Sequence, residues 1–229
     1  LYLADEDSGA LWSATRQPTM APPDEYRTLF HAHLAEFHRR DHQIETRLEV
    51  AVAAGDDLEL RRLCITNESG RPRRLRLTSY GEPVLAPPLE DERHPAFSKL
   101  FVGSEHLPDL GGILFTRSAR RPREAPPVLL HFLVDADGPC DAVRFESDRR
   151  SFIGRGSDLS GPAGARSDLS NTAGWTLDPI MSLQLVVELK PYEQRELCFV
   201  TVAAASRRAA IEIAQRYSTL ASLEWAIGD

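Results

Sequence analysis

The feature that most constrains this chain is a two-residue hydrophobic alternation. Ile44, Thr46, Leu48, Val50 and Val52 fall on one side of an extended backbone, and Glu45, Arg47 and Glu49 on the other. The pattern resumes from Leu58 to Asn67, where Leu58, Leu60, Arg62, Cys64 and Thr66 alternate with Glu59, Arg61, Leu63 and Ile65. Asn67-Glu68-Ser69-Gly70-Arg71-Pro72 is turn chemistry, so the stretch from Arg73 to Val84 is expected to return as the second arm of a β-hairpin. Shorter strands are expected at Leu100–Ser104, Ile113–Thr116, Val128–Val134, Ala142–Phe145, Leu183–Leu189 and Glu196–Ala203, with Pro/Gly clusters between them. Strands do not alternate with helices, which excludes a doubly wound α/β sheet. The pattern specifies an all-β antiparallel sandwich or barrel. One helix closes the chain: Ser206 is its expected N-cap, and Ala209, Ile213, Arg216 and Tyr217, like Ala210 and Ala214, recur at helical spacing.

Composition removes several function classes. A chain of 229 residues that is 42% hydrophobic can build a real core. Its net charge of −7 argues against a nucleic-acid partner, which needs cationic phosphate contacts. Only Lys99 and Lys190 among its 27 cationic residues are lysines. No apolar run reaches the roughly 18–20 residues of a membrane helix, so no direct membrane contact is expected. Cys64, Cys140 and Cys198 are too far apart for a C-x-x-C pair. Asn67-Glu68-Ser69 matches a glycosylation sequon, but turn formation explains it better. The chain opens at Leu1 without an initiator Met, inside an expected strand, as a piece cut from a longer protein would.

Candidate chemistry is sparse. His31 and His33 in Phe30-His31-Ala32-His33 would share one face of a strand, with Glu36 on the other, and an H-x-H pair there can ligate Zn or Fe as in cupin-like barrels. The competing reading is a solvated polar rim. Asp5-Glu6-Asp7-Ser8-Gly9 lacks the spacing of a calcium loop and reads as a charged hairpin turn. Ser13, Ser98 and Ser151 lack a nucleophile elbow, and neither a P-loop nor a dinucleotide fingerprint is present, so no cofactor is expected. Trp12 and Trp175 stand in polar, loop-like contexts where a ring could stack on a sugar, and Arg149, Arg150 and Arg155 flank Phe152-Ile153 with planar donors for hydroxyls or anions. A core role is the alternative for either Trp. Gly154 to Gly164 reads as one long exposed loop.

Four stretches carry a family resemblance: Asp5-Glu6-Asp7-Ser8-Gly9 with Trp12-Ser13; His94-Pro95-Ala96-Phe97-Ser98-Lys99-Leu100-Phe101-Val102; Asp148-Arg149-Arg150-Ser151-Phe152-Ile153-Gly154-Arg155-Gly156; and Leu169-Ser170-Asn171-Thr172-Ala173-Gly174-Trp175-Thr176-Leu177-Asp178-Pro179-Ile180. In this order they resemble the β-sandwich domain of the cellobiose-phosphorylase-like glycoside phosphorylases, as found within cyclic β-1,2-glucan synthases. The resemblance implies a large antiparallel super-sandwich over residues 1–205. Residues 206–229 would form a linker helix leading to a catalytic α/α barrel outside this sequence. It implies a non-catalytic, carbohydrate-associated domain that supports β-glucan synthesis and chain-length control. Its expected partners are a β-glucan or oligosaccharide, the barrel of the same parent chain and a second copy in a homodimer. The expected place is the cytoplasmic side of a bacterial inner membrane. No catalytic residue carries over; Arg149, Arg150, Arg155 and Trp175 are the expected carbohydrate or partner contacts. A cupin-like metalloenzyme using His31 and His33, and a purely structural docking module, remain the alternatives.

Overall fold

The computed structural model describes residues 1–136, 138–139 and 143–228. In chain order its strands are β1 (Tyr2–Asp5), β2 (Leu11–Ser13), β3 (Glu25–Phe30), β4 (Leu34–Asp41), β5 (Ile44–Val52), β6 (Leu58–Asn67), β7 (Arg73–Thr78), β8 (Val102–Leu107), β9 (Gly112–Arg117), β10 (Val128–Asp135), β11 (Gly138–Pro139), β12 (Arg144–Asp148), β13 (Gly174–Trp175), β14 (Pro179–Leu189) and β15 (Gln194–Ala204). The helices are α1 (Pro88–Arg93), α2 (Pro95–Lys99), α3 (Arg149–Ile153), α4 (Arg207–Arg216) and α5 (Leu220–Gly228), with 3-10 turns at Pro108–Leu110 and Ala163–Ala165. Five strands form a sheet in the order β12-β14-β7-β1-β2. The others run β13-β8-β9-β10-β15-β6-β5-β4-β3, with β11 attached to β10. The fold is therefore the expected all-β antiparallel sandwich. Ala142, the expected first residue of the strand now seen as β12, and Cys140 lie outside the described residues.

Strand periodicity distributes the cores. The inward faces of the two sheets meet in one cluster that includes Leu3, Trp12, Leu63, Ile65, Leu75, Leu77, Phe115 and Phe199. Alternate residues of the larger sheet, among them Leu58, Leu60, Leu130, Val200 and Val202, point to its other face. There Ala210, Ala214, Tyr217, Leu223 and Ile227 of the C-terminal segment cover them. The smaller sheet is capped on its outer face by Phe152, Ala165 and Leu169, which pack with Tyr2 and Ile180. The stretch 154–164 is thus not the free loop expected: Leu159 packs on this cluster and its carbonyl accepts from the Tyr2 hydroxyl at 2.8 Å.

Two further expectations are corrected. The strands before and after Asn67-Pro72 do not pair. β6 pairs with β5 and β15 in the larger sheet, whereas β7 pairs with β1 and β14 in the smaller one. The turn therefore arches between sheets. Both arms supply apolar side chains to the same inter-sheet core, and that alternation is identical for a hairpin and an arch. Asn67, fully buried, fixes the arch: its amide donates to the carbonyls of Arg71 (2.8 Å), Leu189 (3.3 Å) and Lys190 (2.9 Å). That occupies the sequon asparagine structurally. The single C-terminal helix is in fact two. Ser206 does cap α4, accepting from the Ala209 amide at 3.2 Å. The helix then stops at Tyr217, and Thr219 with Ser222 starts α5 through reciprocal side-chain-to-backbone bonds of 3.2 and 3.3 Å.

Candidate functional site

Three of the four resembling stretches converge at one edge of the sandwich. β13, from the fourth stretch, adds two residues to the edge of the larger sheet, with Gly174 opposite Ser104 and Trp175 opposite Gly103. α2 and the start of β8 carry the second stretch, and α3 the third. Backbone bonds join them: the Arg149 amide donates to the Asp178 carbonyl at 3.1 Å, and the Ser147 amide to that of Thr172 at 3.1 Å.

Four charged side chains lock this junction. Lys99 Nζ lies 2.6 Å from Asp178 Oδ1 and 3.0 Å from Glu82 Oε2. Arg149 Nε donates to the Tyr80 hydroxyl at 3.2 Å and to Glu82 Oε1 at 3.3 Å, and its Nη1 is 3.8 Å from Asp178 Oδ2. Tyr80 in turn donates to Glu82 at 2.7 Å. Burial pushes the Glu82 carboxyl up, but donors from Tyr80 and Lys99 and the two nearby cations outweigh it and hold it below the usual range. Burial likewise opposes the charge on Lys99, and its bonds to Asp178 and Glu82 overcome that and raise its pKa. Two cations and two anions are committed to each other, so Arg149 is a structural tie.

Trp175 is different. It is 64% exposed. A Cβ placed on Gly103 would meet three indole atoms at 3.0–3.2 Å. One ring face therefore rests on the strand backbone and the other is open, an arrangement only a glycine beneath permits. Exposed Phe97, Leu100 and Leu177 lie on the segments that flank it. Arg150 and Arg155 are exposed and make no side-chain hydrogen bond or ion pair among the described residues. The structure gives neither of them a contact with Trp175. Trp12, the other ring considered, is buried in β2 at 1% exposure and belongs to the core.

The remaining candidates resolve into structural roles. His31 and His33 are not on a strand: with Ala32 they form the turn between β3 and β4. Glu36 sits between imidazoles, 3.4 Å from His31 Nε2 and 2.9 Å from His38 Nε2, and the His38 hydrogen bond heads the contacts that hold its carboxyl below the usual range. Among the described residues no group of three or more His, Cys, Asp or Glu is placed to hold a metal ion. The H-x-H pair expected on a strand face of a cupin-like metalloenzyme lies instead in a turn, with the two imidazole centroids 6.2 Å apart. Asp5–Gly9 is the β1–β2 turn as expected. Asp5 is paired with buried Arg73, and Glu6 with Arg74 and Arg76. Cys64 and Cys198 are buried and free, and burial pushes the Cys198 thiol up to about 12. The sequence missed the buried arginine pairs; the near-absence of lysine was the one signal for them.

The family profile described as "Glycosyl hydrolase 94, supersandwich domain" matches residues 1–220. The cyclic beta-(1,2)-glucan synthase NdvB of Rhizobium meliloti (strain 1021) is 35% identical over 219 residues, which are 95% of this chain and 8% of that protein. The chain thus spans a small fraction of the relative it matches. Among solved structures, a polysaccharide lyase aligns over 78% of this chain and 23% of its own, with 19% identity and a TM-score of 0.46. Heparinase III aligns over 81% of this chain and 22% of its own, with 9% identity and a TM-score of 0.41.

Proposed function

Because the chain belongs to the glycosyl hydrolase 94 supersandwich-domain family, we propose that it is a non-catalytic, carbohydrate-associated domain serving β-glucan synthesis and chain-length control. The observation that carries this reading is the open indole face of Trp175 on an edge built by the resembling stretches. An indole with one face seated on backbone is a rigid platform for the apolar face of a pyranose. Arg150 on α3 and Arg155 just beyond it, both exposed, are further proposed polar contacts separate from the ring, and Arg149 is the tie that fixes α3. Glycoside hydrolysis by the two-carboxylate route needs a carboxylic acid kept protonated near neutrality beside a second carboxylate, and phosphorolysis needs the protonated acid alone. Glu82 and Asp178 are instead ion-paired, and Glu82 is held ionised.

In this proposal the domain works within a longer glucan synthase, like the relative of which it matches 8%. α4 and α5 connect the sandwich to a catalytic α/α barrel, and the assembly acts at the cytoplasmic side of a bacterial inner membrane, with a homodimer as a further expected partner state. No described helix is long and apolar enough to cross a membrane. A second reading, a module that docks the barrel without touching sugar, is favoured by the exposed apolar side chains Phe97, Leu100 and Leu177 on the second and fourth resembling stretches.

The test uses the 229-residue chain. Incubated with β-1,2-glucan and inorganic phosphate it is expected to release no sugar phosphate; release would overturn the non-catalytic assignment. Calorimetric titration with β-1,2-gluco-oligosaccharide is expected to give binding heat that Trp175→Ala abolishes. Absence of heat at millimolar sugar would leave the docking reading.

A further inference from the structure

A trough on the outer face of the larger sheet adjoins Trp175. Directly opposed residues of an antiparallel pair project to the same face. Trp175 opposes Gly103, and Gly103, Glu105 and Leu107 alternate onto that face. Leu107 lies in the apolar cluster that α4 and α5 cover, so the indole and α4 share one side of the sheet. Glu105 is two residues, about 6–7 Å, along β8 from the indole's seat. It is gripped by Arg207, the first residue of α4, through Nε at 3.1 Å and Nη2 at 2.7 Å. Between the β8 end, the 3-10 turn after it and α4 lies a cavity of about 600 Å³. That is within the ~300–1,000 Å³ range of ligand sites.

Its chemistry is selective. Leu107, Leu110 and Ile211 give it an apolar floor, while Glu105, Arg207, Asp109 and Gln215 line it with polar groups. His106 turns away and stacks on Phe145 at 4.1 Å. Glu105 and Arg207 neutralise each other and Asp109 adds a negative charge, so the trough does not attract phosphate or carboxylate ligands. The Glu105–Arg207 fork holds donors and acceptors in one plane and Gln215 adds an amide donor and acceptor, a set suited to hydroxyls on a chain whose C–H faces meet the floor.

We propose that this trough, entered over Trp175, holds a segment of neutral β-linked glucan chain, with Glu105, Arg207 and Gln215 as its hydroxyl contacts. The proposal rests on the reading above that this domain meets glucan, and extends it from one stacking ring to a groove. The probe is a short linear β-1,2-gluco-oligosaccharide, titrated into the isotope-labelled chain and followed by NMR. Addition is expected to shift the Trp175 indole N–H, the Arg207 Nε–H and the Gln215 side-chain amide. Gln215→Trp fills the trough from an exposed helix position, and Glu105→Gln breaks the fork at constant size. Each is expected to raise Kd about tenfold, the scale of one lost anchoring contact. Shifts confined to Trp175 and α3, or unchanged Kd in both variants, would overturn the trough while leaving the glucan reading intact. No shift anywhere at millimolar sugar would overturn both.

Discussion

Replacing Asp5 with Ala removes one half of the joint between the two sheets. The Asp5 carboxylate, at the end of β1 in the smaller sheet, accepts from Arg73 Nη2 at 2.8 Å, from the Ser8 hydroxyl at 2.6 Å and from the Asp7 amide at 3.1 Å. Arg73 Nη1 donates to the His42 carbonyl, in the turn between β4 and β5 of the larger sheet, at 2.7 Å. Both side chains are essentially inaccessible. Breaking such a pair leaves a buried, unpaired guanidinium and costs about 3–5 kcal/mol. At about 2–4 °C per kcal/mol for a chain of this length, Tm should fall by roughly 6–20 °C. Asp5→Ala/Arg73→Met removes both charges and should recover much of that loss. The pair also sets an acid limit. Burial raises the Asp5 pKa, but donors from Ser8, Asp7 and Arg73 outweigh it and depress the folded value. Its stabilisation is therefore present above the unfolded value of about 3.9 and disappears as pH falls through the lower folded value. Thermal melts followed by circular dichroism across that window should show a steeper acid loss for the parent than for Asp5→Asn. A Tm for Asp5→Ala within about 2 °C of the parent, or a double variant less stable than the single one, would refute the reasoning.

Gly103→Val places carbon where the indole of Trp175 now rests, about 3.0 Å from a would-be Cβ; it should abolish glucan heat in calorimetry while Tm stays near the parent's. Ser206→Ala deletes the cap on α4 and should cost about 1 kcal/mol, seen as a Tm drop of roughly 2–4 °C. Lys99→Met releases Glu82 and Asp178; because both carboxylates are partly exposed the stability loss should stay near 1 kcal/mol, but limited proteolysis between residues 94 and 100 should accelerate. The raised Lys99 pKa means its contribution is complete below the unfolded value of about 10.4 and is lost as pH rises through the folded value, so parent and variant should converge only in alkaline melts.

Strand existence was legible in the sequence: β5 and β6 lie where two-residue alternation puts them, while β10, β14 and β15, buried on both faces over much of their length, lie on the apolar runs between turn clusters. Strand partners were not legible, since β6 and β7 present the same alternation whether they pair or arch between sheets. The C-terminal helix was legible in its cap and buried alanines, while its break depended on Thr219 and Ser222 bonding to each other's backbone amides. Of the two candidate rings, one became core and one stayed open. Both lie on edge strands, but Trp12 points into the inter-sheet core whereas Trp175 lies over Gly103 on an outward face. The scarcity of lysine acquires a partial physical reason. Arg39, Arg73 and Arg117 have buried side chains that reach several acceptors at once, Arg39 contacting both Asp41 oxygens and the carbonyls of Thr15 and Ala21. A planar fork does this and a single ammonium does not.

The central claim, that the open face of Trp175 is a glucan platform, is tested most directly by acrylamide quenching of tryptophan fluorescence. The chain has three tryptophans; Trp12 is buried, whereas Trp175 and Trp225 are exposed. Saturating β-1,2-gluco-oligosaccharide should slow quenching in the parent and leave it unchanged in Trp175→Ala. Quenching indifferent to sugar in the parent, or protection that persists in the variant, would contradict the account.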